Sequence, residues 1–131
     1  MIFVDSSFWI AEAMPRDGRH TAAAALARAL SAERSITSNL IVGETWTFLR
    51  RRVGHRFAMS WLDTARSKRL GIERIDPALD SEAWEWLRAH DERPYSFVDA
   101  TSFALMRKLR VTEALAFDGD FAAAGFVELR P

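Results

Sequence analysis

Short apolar runs alternate with longer stretches of helical period along the whole chain, and this alternation limits the fold more than any other feature. Ile2 to Val4, Ser35 to Thr37, Gly71 to Ile75 and Ala114 to Phe117 read as strands rich in β-branched or aromatic residues, with Phe126 to Leu129 as a possible fifth. Between them lie helical patterns near 7 to 13, 20 to 33, 38 to 52, 55 to 69, 78 to 90, 97 to 109 and 120 to 124. Strands separated by helices predict an α/β fold with a parallel sheet, because parallel neighbours need crossovers long enough to hold a helix. A chain of 131 residues with no repeat, linker or low-complexity tract is expected to form one domain, 1–131.

Local signals support this division. Asp76-Pro77 places a cap ahead of a proline suited to a first helical turn, and Leu79, Ala83, Trp86 and Leu87 supply the apolar face behind it. Ser96 and Asp99 have the spacing of a capping box. Gly54 and Gly125 are expected to end the helices before them. Trp84 and Trp86 stand two apart, so one is expected in the core and the other free to meet a partner.

Composition excludes several kinds of chemistry. With no cysteine there is no disulfide scaffold, thiolate metal site or cysteine nucleophile. His20, His55 and His90 lack metal-ligand spacing and read as surface or cap residues. The amino end has no basic leader, and the alanine-rich stretch 22–30 is short and broken by Arg28, so the expected location is the cytoplasm, with no membrane segment. The formal net charge of +0 conceals a separation. Residues 50–74 hold eight bases and two acids, whereas residues 75–99 hold seven acids and two bases. The basic stretch is a solvated helix face or a surface for a polyanion.

Four acids break the pattern. Asp5 and Asp118 each follow a strand, at the carboxyl edge where open parallel sheets bind ligands. Glu44 has Leu40, Ile41 and Phe48 at helical contact spacing, which suggests a paired or coordinated carboxylate rather than a solvated one. Asp99 stands in a first helical turn, where capping alone would also explain it. If the chain reverses direction across the sheet after the first strand, Asp5 and Asp118 end neighbouring strands, and the helices bearing Glu44 and Asp99 start from the same edge. Two carboxylates roughly 5 Å apart repel by about 3 kcal/mol at an effective dielectric of about 20, so such a cluster needs protons or a cation. Oxygen-only donors suit Mg²⁺ or Mn²⁺, and the matching chemistry is metal-assisted attack of water on a phosphodiester.

The chain resembles the PIN domain, specifically the VapC ribonuclease toxins of toxin-antitoxin pairs. The resemblance rests on Phe3-Val4-Asp5-Ser6-Ser7, Gly43-Glu44-Thr45-Trp46, Ser96-Phe97-Val98-Asp99-Ala100 and Ala116-Phe117-Asp118-Gly119-Asp120-Phe121, in the family's order across essentially the whole chain. It implies a five-stranded parallel sheet of order 3-2-1-4-5 flanked by helices. Asp5, Glu44, Asp99 and Asp118 would hold Mg²⁺ or Mn²⁺ and carry catalysis, with Asp120 and Ser6 as auxiliaries. Arg50, Arg51, Arg52 and Arg56 would bind RNA phosphates. The resemblance further implies a homodimer and a cognate antitoxin that blocks the acidic pocket. Likeness around Trp46 and from Trp84 to Asp99 favours the sarcin-ricin loop of ribosomal RNA over tRNA as the target. Ala116 stands where many relatives carry Thr or Ser, which would tune activity. Two other readings remain: a haloacid-dehalogenase phosphatase, disfavoured because Ser7 stands where a second Asp is needed, and a catalytically inactive PIN-like module that binds RNA or protein.

Overall fold

The computed structural model describes all residues, Met1–Pro131. In chain order the elements are β1 (Ile2–Val4), α1 (Ser6–Ala13), α2 (His20–Ala29), β2 (Ser35–Ser38), α3 (Asn39–Arg52), α4 (His55–Ser67), β3 (Leu70–Glu73), α5 (Pro77–Ala89), α6 (Phe97–Leu109), β4 (Glu113–Leu115), α7 (Asp120–Ala123) and β5 (Val127–Glu128). All four strand pairings are parallel, in the order β3-β2-β1-β4-β5. The crossover from β3 to β4 passes over β2 and β1, and this reversal makes β1 and β4 neighbours, with Phe3 opposite Ala114 and Val4 opposite Leu115. Right-handed crossovers then put α1 to α4 on one face and α5 to α7 on the other. The packing agrees: α1 meets α2 and α3, α3 meets α4, and α6 meets α5 and α7. No helix is long and apolar enough to cross a membrane.

The apolar periodicity closes around aromatic rings. Phe103 is fully buried in α6, with ring centroids of Phe121 at 5.0 Å, Trp86 at 5.1 Å, Phe126 at 5.5 Å and Tyr95 at 5.8 Å. Trp86 thus packs onto the core. Trp84 is 52% exposed and stacks on Phe97, centroids 4.3 Å apart. Asp76 accepts the Leu79 N–H at 2.9 Å with Pro77 in the first turn of α5, and both halves of the Ser96–Asp99 capping box form. Gly54, with φ of +141°, ends α3 in a backbone region that side chains resist.

Several expected boundaries move, α4 ending at Ser67 rather than 69 and β5 narrowing to Val127–Glu128 among them, and three have a visible cause. The second helix ends at Ala29 rather than 33, because Leu30 to Glu33 form a turn closed by the Glu33 N–H on the Leu30 carbonyl. The third strand stops at Glu73, and the Ile75 N–H is taken by Asn39 Oδ1 at 2.9 Å. The fourth strand stops at Leu115, because side chains replace the ladder beyond it. The Phe117 N–H donates to Ser7 Oγ, Arg130 donates to the Ala116 carbonyl, and Arg19 to the Phe117 carbonyl. That substitution builds the end of the sheet where the acids meet.

Candidate active site at the carboxyl edge of the sheet

Asp5 follows β1 directly and is 2% exposed. Its backbone N–H donates to the Leu115 carbonyl at 3.0 Å, so the residue is held against β4. Its Oδ2 accepts both the Ser7 N–H at 3.2 Å and the Ser7 hydroxyl at 2.7 Å, making Asp5 the cap of α1 as well as a buried carboxylate. Ser7 Oγ also accepts the Phe117 N–H at 3.1 Å. One hydroxyl therefore ties the end of β1 to the segment leading to Asp118. Burial pushes the Asp5 carboxyl up to about 7 against the pull of those hydrogen bonds, and the charges of Asp118 and Asp99 push it the same way.

Asp99 is fixed by its capping role, since its Oδ2 accepts the Ser96 N–H at 2.9 Å while the Ser96 hydroxyl accepts the Asp99 N–H. The cap occupies one oxygen and leaves Oδ1 free for another ligand. Burial above all, with the charges of Asp118 and Asp120 and against the pull of the Ser96 hydrogen bonds, raises this group to about 6. Asp118 accepts the Asp120 N–H in a turn that Gly119 makes possible with φ of +84°. α7 follows at once, so no hairpin competes for this turn. Burial and the neighbouring Asp120 and Glu128 raise the Asp118 carboxyl as well.

Carboxylate oxygens of Asp99, Asp118 and Asp120 lie within 4.8 Å of one another, and Asp5 is close enough to feel the charge of two of them. Like charges gathered this closely, with burial opposing ionisation, leave a position that favours a cation. The donors are all hard oxygens, which fits Mg²⁺ or Mn²⁺ and not zinc. Asp120 also pairs with Arg93, whose Nε and Nη2 reach its Oδ1 at 3.0 and 2.9 Å.

Glu44 differs from expectation. It is exposed on α3 and lies outside the group of three, because the buried stripe of that helix is Ile41, Thr45 and Leu49 and Glu44 sits about 100° to one side of it. Of its apolar neighbours along the helix only Ile41 is in the core; Leu40 and Phe48 are half-buried, and Phe48 shares the open side of α3 with the glutamate. Glu44 makes no ion pair with Arg51; its Oε2 accepts the Ser6 hydroxyl at 2.8 Å, which ties it to the residue after Asp5. Arg51 and Arg52 share an open depression with Glu44, Gly43, Thr47 and Phe48, with the Arg52 guanidinium 5.1 Å from the Phe48 ring centre. Arg50 and Arg56 are exposed nearby in sequence but do not line that depression.

Ser7, Arg93 and Glu128 carry more of the site than their sequence context indicates. The Glu128 side chain is 4% exposed and accepts the N–H groups of Gly119 and Ala122, holding the Asp118 turn from β5. Only Ser7 had a signal, a hydroxyl two residues after a strand-ending Asp; the other two act across 27 and 9 residues of chain.

The family model described as "PIN domain" matches residues 2–127. Two curated relatives, each called a 23S rRNA-specific endonuclease VapC20 and coming from two strains of Mycobacterium tuberculosis, are 53% identical over 131 residues, covering 100% of this chain and 99% of theirs. The crystal structure of M. tuberculosis VapC20, described as a sarcin-ricin loop cleaving toxin, superposes with a TM-score of 0.93 at 52% identity, covering the whole of both chains.

Proposed function

The chain belongs to the PIN-domain family, and from that premise we propose that it is a metal-dependent endoribonuclease of the VapC toxin type that cuts the sarcin-ricin loop of 23S ribosomal RNA to stop translation. The observation that carries the chemistry is the crowding of Asp99, Asp118 and Asp120 beside buried Asp5. The choice of ribosomal RNA over tRNA is supported by full-length identity of 53% to relatives named for that substrate.

Asp5, Asp99 and Asp118, with Glu44 directly or through water, are the residues we assign to Mg²⁺ or Mn²⁺. The bound ion would supply Lewis-acid activation of water and charge neutralisation at phosphorus. The chain's own contribution is preorganisation. Ser7 fixes Asp5, the Ser96 cap fixes Asp99, the Asp120 N–H fixes Asp118, and Ser6 holds Glu44. In-line attack of water with departure of the 3′ oxygen leaves a 5′-phosphate and a 3′-hydroxyl. Arg51 and Arg52 position RNA phosphates beside Glu44, and exposed Arg50 and Arg56 add positive charge to the attraction of the RNA. The partners that follow from the family are a second copy of the chain and an antitoxin. An apolar groove of about 400 Å³ lined by Phe8, Trp9, Leu30, Trp61 and Leu70 offers a protein partner a surface separate from the acids.

Incubating purified ribosomes and total tRNA with the protein, with Mg²⁺ or with chelator, and mapping new 5′ ends tests this reading. The expected result is one Mg²⁺-dependent 5′-phosphate end inside the sarcin-ricin loop. Cuts confined to tRNA would overturn the substrate, and RNA binding without any cut would favour the inactive module.

A further inference from the structure

Arg93 is the one cation in contact with the acidic cluster, since no other ion pair in the chain involves Asp5, Glu44, Asp99, Asp118 or Asp120. Its side chain is 40% exposed, against 19% for Asp120. Nη2 also lies 3.5 Å from where a Cβ on Gly119 would stand, so the guanidinium rests directly on the Asp118–Asp120 turn.

A guanidinium has five N–H donors in a planar fork. Asp120 takes the inner edge, one hydrogen from Nε and one from Nη2. The outer edge, both hydrogens of Nη1 and the second of Nη2, has no acceptor in the chain. Arg19 and Arg130 are different. They spend donors on the carbonyls of Phe117, Ala116 and Leu129 and on Glu128, and both lie against the Phe117 ring, so their work is structural. Arg93 alone is anchored on one edge and open on the other, the arrangement that suits bidentate capture of a phosphate.

We propose that Arg93 is a substrate-binding residue of the nuclease site, its outer edge taking two non-bridging oxygens of an RNA phosphate at the cleaved step while Asp120 holds the inner edge. The inference rests on the nuclease reading and deepens it. It also divides the three clustered carboxylates by role: Asp99 and Asp118 face the cation, whereas Asp120 is a positioning residue for Arg93. Asp120 then adds its charge to the site without being a metal ligand, although its oxygens lie within 4.8 Å of theirs.

The test measures binding of a hairpin with the sarcin-ricin loop sequence to the Asp5→Asn protein, in which cleavage is blocked, across a series of salt concentrations. Mn²⁺ binding without RNA is measured in parallel, by calorimetry on the protein with Asp5 intact. Arg93→Ala is expected to weaken RNA binding about tenfold and to reduce the salt slope by about one, leaving Mn²⁺ affinity undiminished. Arg93→Lys should restore the slope but not the full affinity, since the charge returns without the fork. Asp120→Asn should weaken RNA binding and cost Mn²⁺ affinity far less than Asp99→Asn does, because a nearby charge is lost and no ligand is, a combination that loss of folding or of a metal ligand does not give. An unchanged affinity and slope in Arg93→Ala would overturn the proposal, as would Asp120→Asn losing Mn²⁺ affinity to the extent of Asp99→Asn. If Arg51→Ala still lowers the slope while Arg93→Ala does not, the nuclease reading stands and this inference alone fails. If the Asp5→Asn parent binds no hairpin, both fall.

Discussion

Asp5→Asn is expected to abolish RNA cleavage, by about 10³-fold or more, while leaving the fold unharmed. The substitution keeps the size of the side chain, and the new amide oxygen still accepts from the Ser7 N–H and hydroxyl, so the cap of α1 and the Ser7 link to Phe117 survive. What disappears is the negative charge of a residue 2% exposed beside the acidic group, near enough to feel the charges of Asp118 and Asp99. Removing even a single hydrogen-bond donor to a developing charge costs roughly 10²–10³-fold in well-studied enzymes, and a lost ligand to a catalytic cation costs at least as much. Single-turnover cleavage at saturating Mg²⁺ measures the loss, and a variant within about threefold of the parent would contradict the role given to Asp5.

The same burial makes the metal-free protein less stable as pH rises. Asp5 has a folded-state value of about 7 against an ordinary 3.8, and Asp99 about 6. Between the unfolded and folded values the native state binds more protons than the unfolded chain, so stability falls with increasing pH and levels off above the folded value. From pH 5 to pH 8, Asp5 alone removes roughly 3 kcal/mol, on the order of 10 °C in melting temperature for a domain of this size. Thermal melts of chelator-treated protein should therefore show a higher melting temperature at pH 5 than at pH 8. Asp5→Asn should flatten most of that difference and melt higher than the parent at pH 8. Added Mg²⁺ should recover the parent at pH 8 and do little at pH 5, because the cation competes with protons for the same oxygens. A metal-free parent that melts higher at pH 8, by a margin Asp5→Asn does not alter, would contradict the assignment of a buried, proton-binding Asp5.

The architecture was largely legible because it is written in local signals. Periods of two and of 3.6 separate strands from helices, Asp76-Pro77 and Ser96–Asp99 mark two helix starts, and strand-ending acids point to the carboxyl edge of the sheet. Topology then joins Asp5 to Asp118, since the crossover after β3 makes β1 and β4 neighbours. Helical spacing says which side chains adjoin Glu44 but not which face of α3 turns inward, and the burial expected there does not occur. β4 ends two residues early because Ser7, Arg19 and Arg130 claim its backbone groups from 110, 98 and 14 residues away in sequence, as no local pattern reveals. The Arg93–Asp120 pair and the Glu128 brace on Gly119 are of the same kind, set by tertiary placement of single residues among many similar charges.

Asp5, Asp99 and Asp118 are proposed to share one divalent cation. Crystals grown near pH 8 with Mn²⁺ and measured at the manganese absorption edge test this most directly. An anomalous peak about 2.1 Å from oxygens of these three side chains is the predicted result. A map with no peak among them, or with manganese held at the exposed acids of α5 instead, would contradict the account.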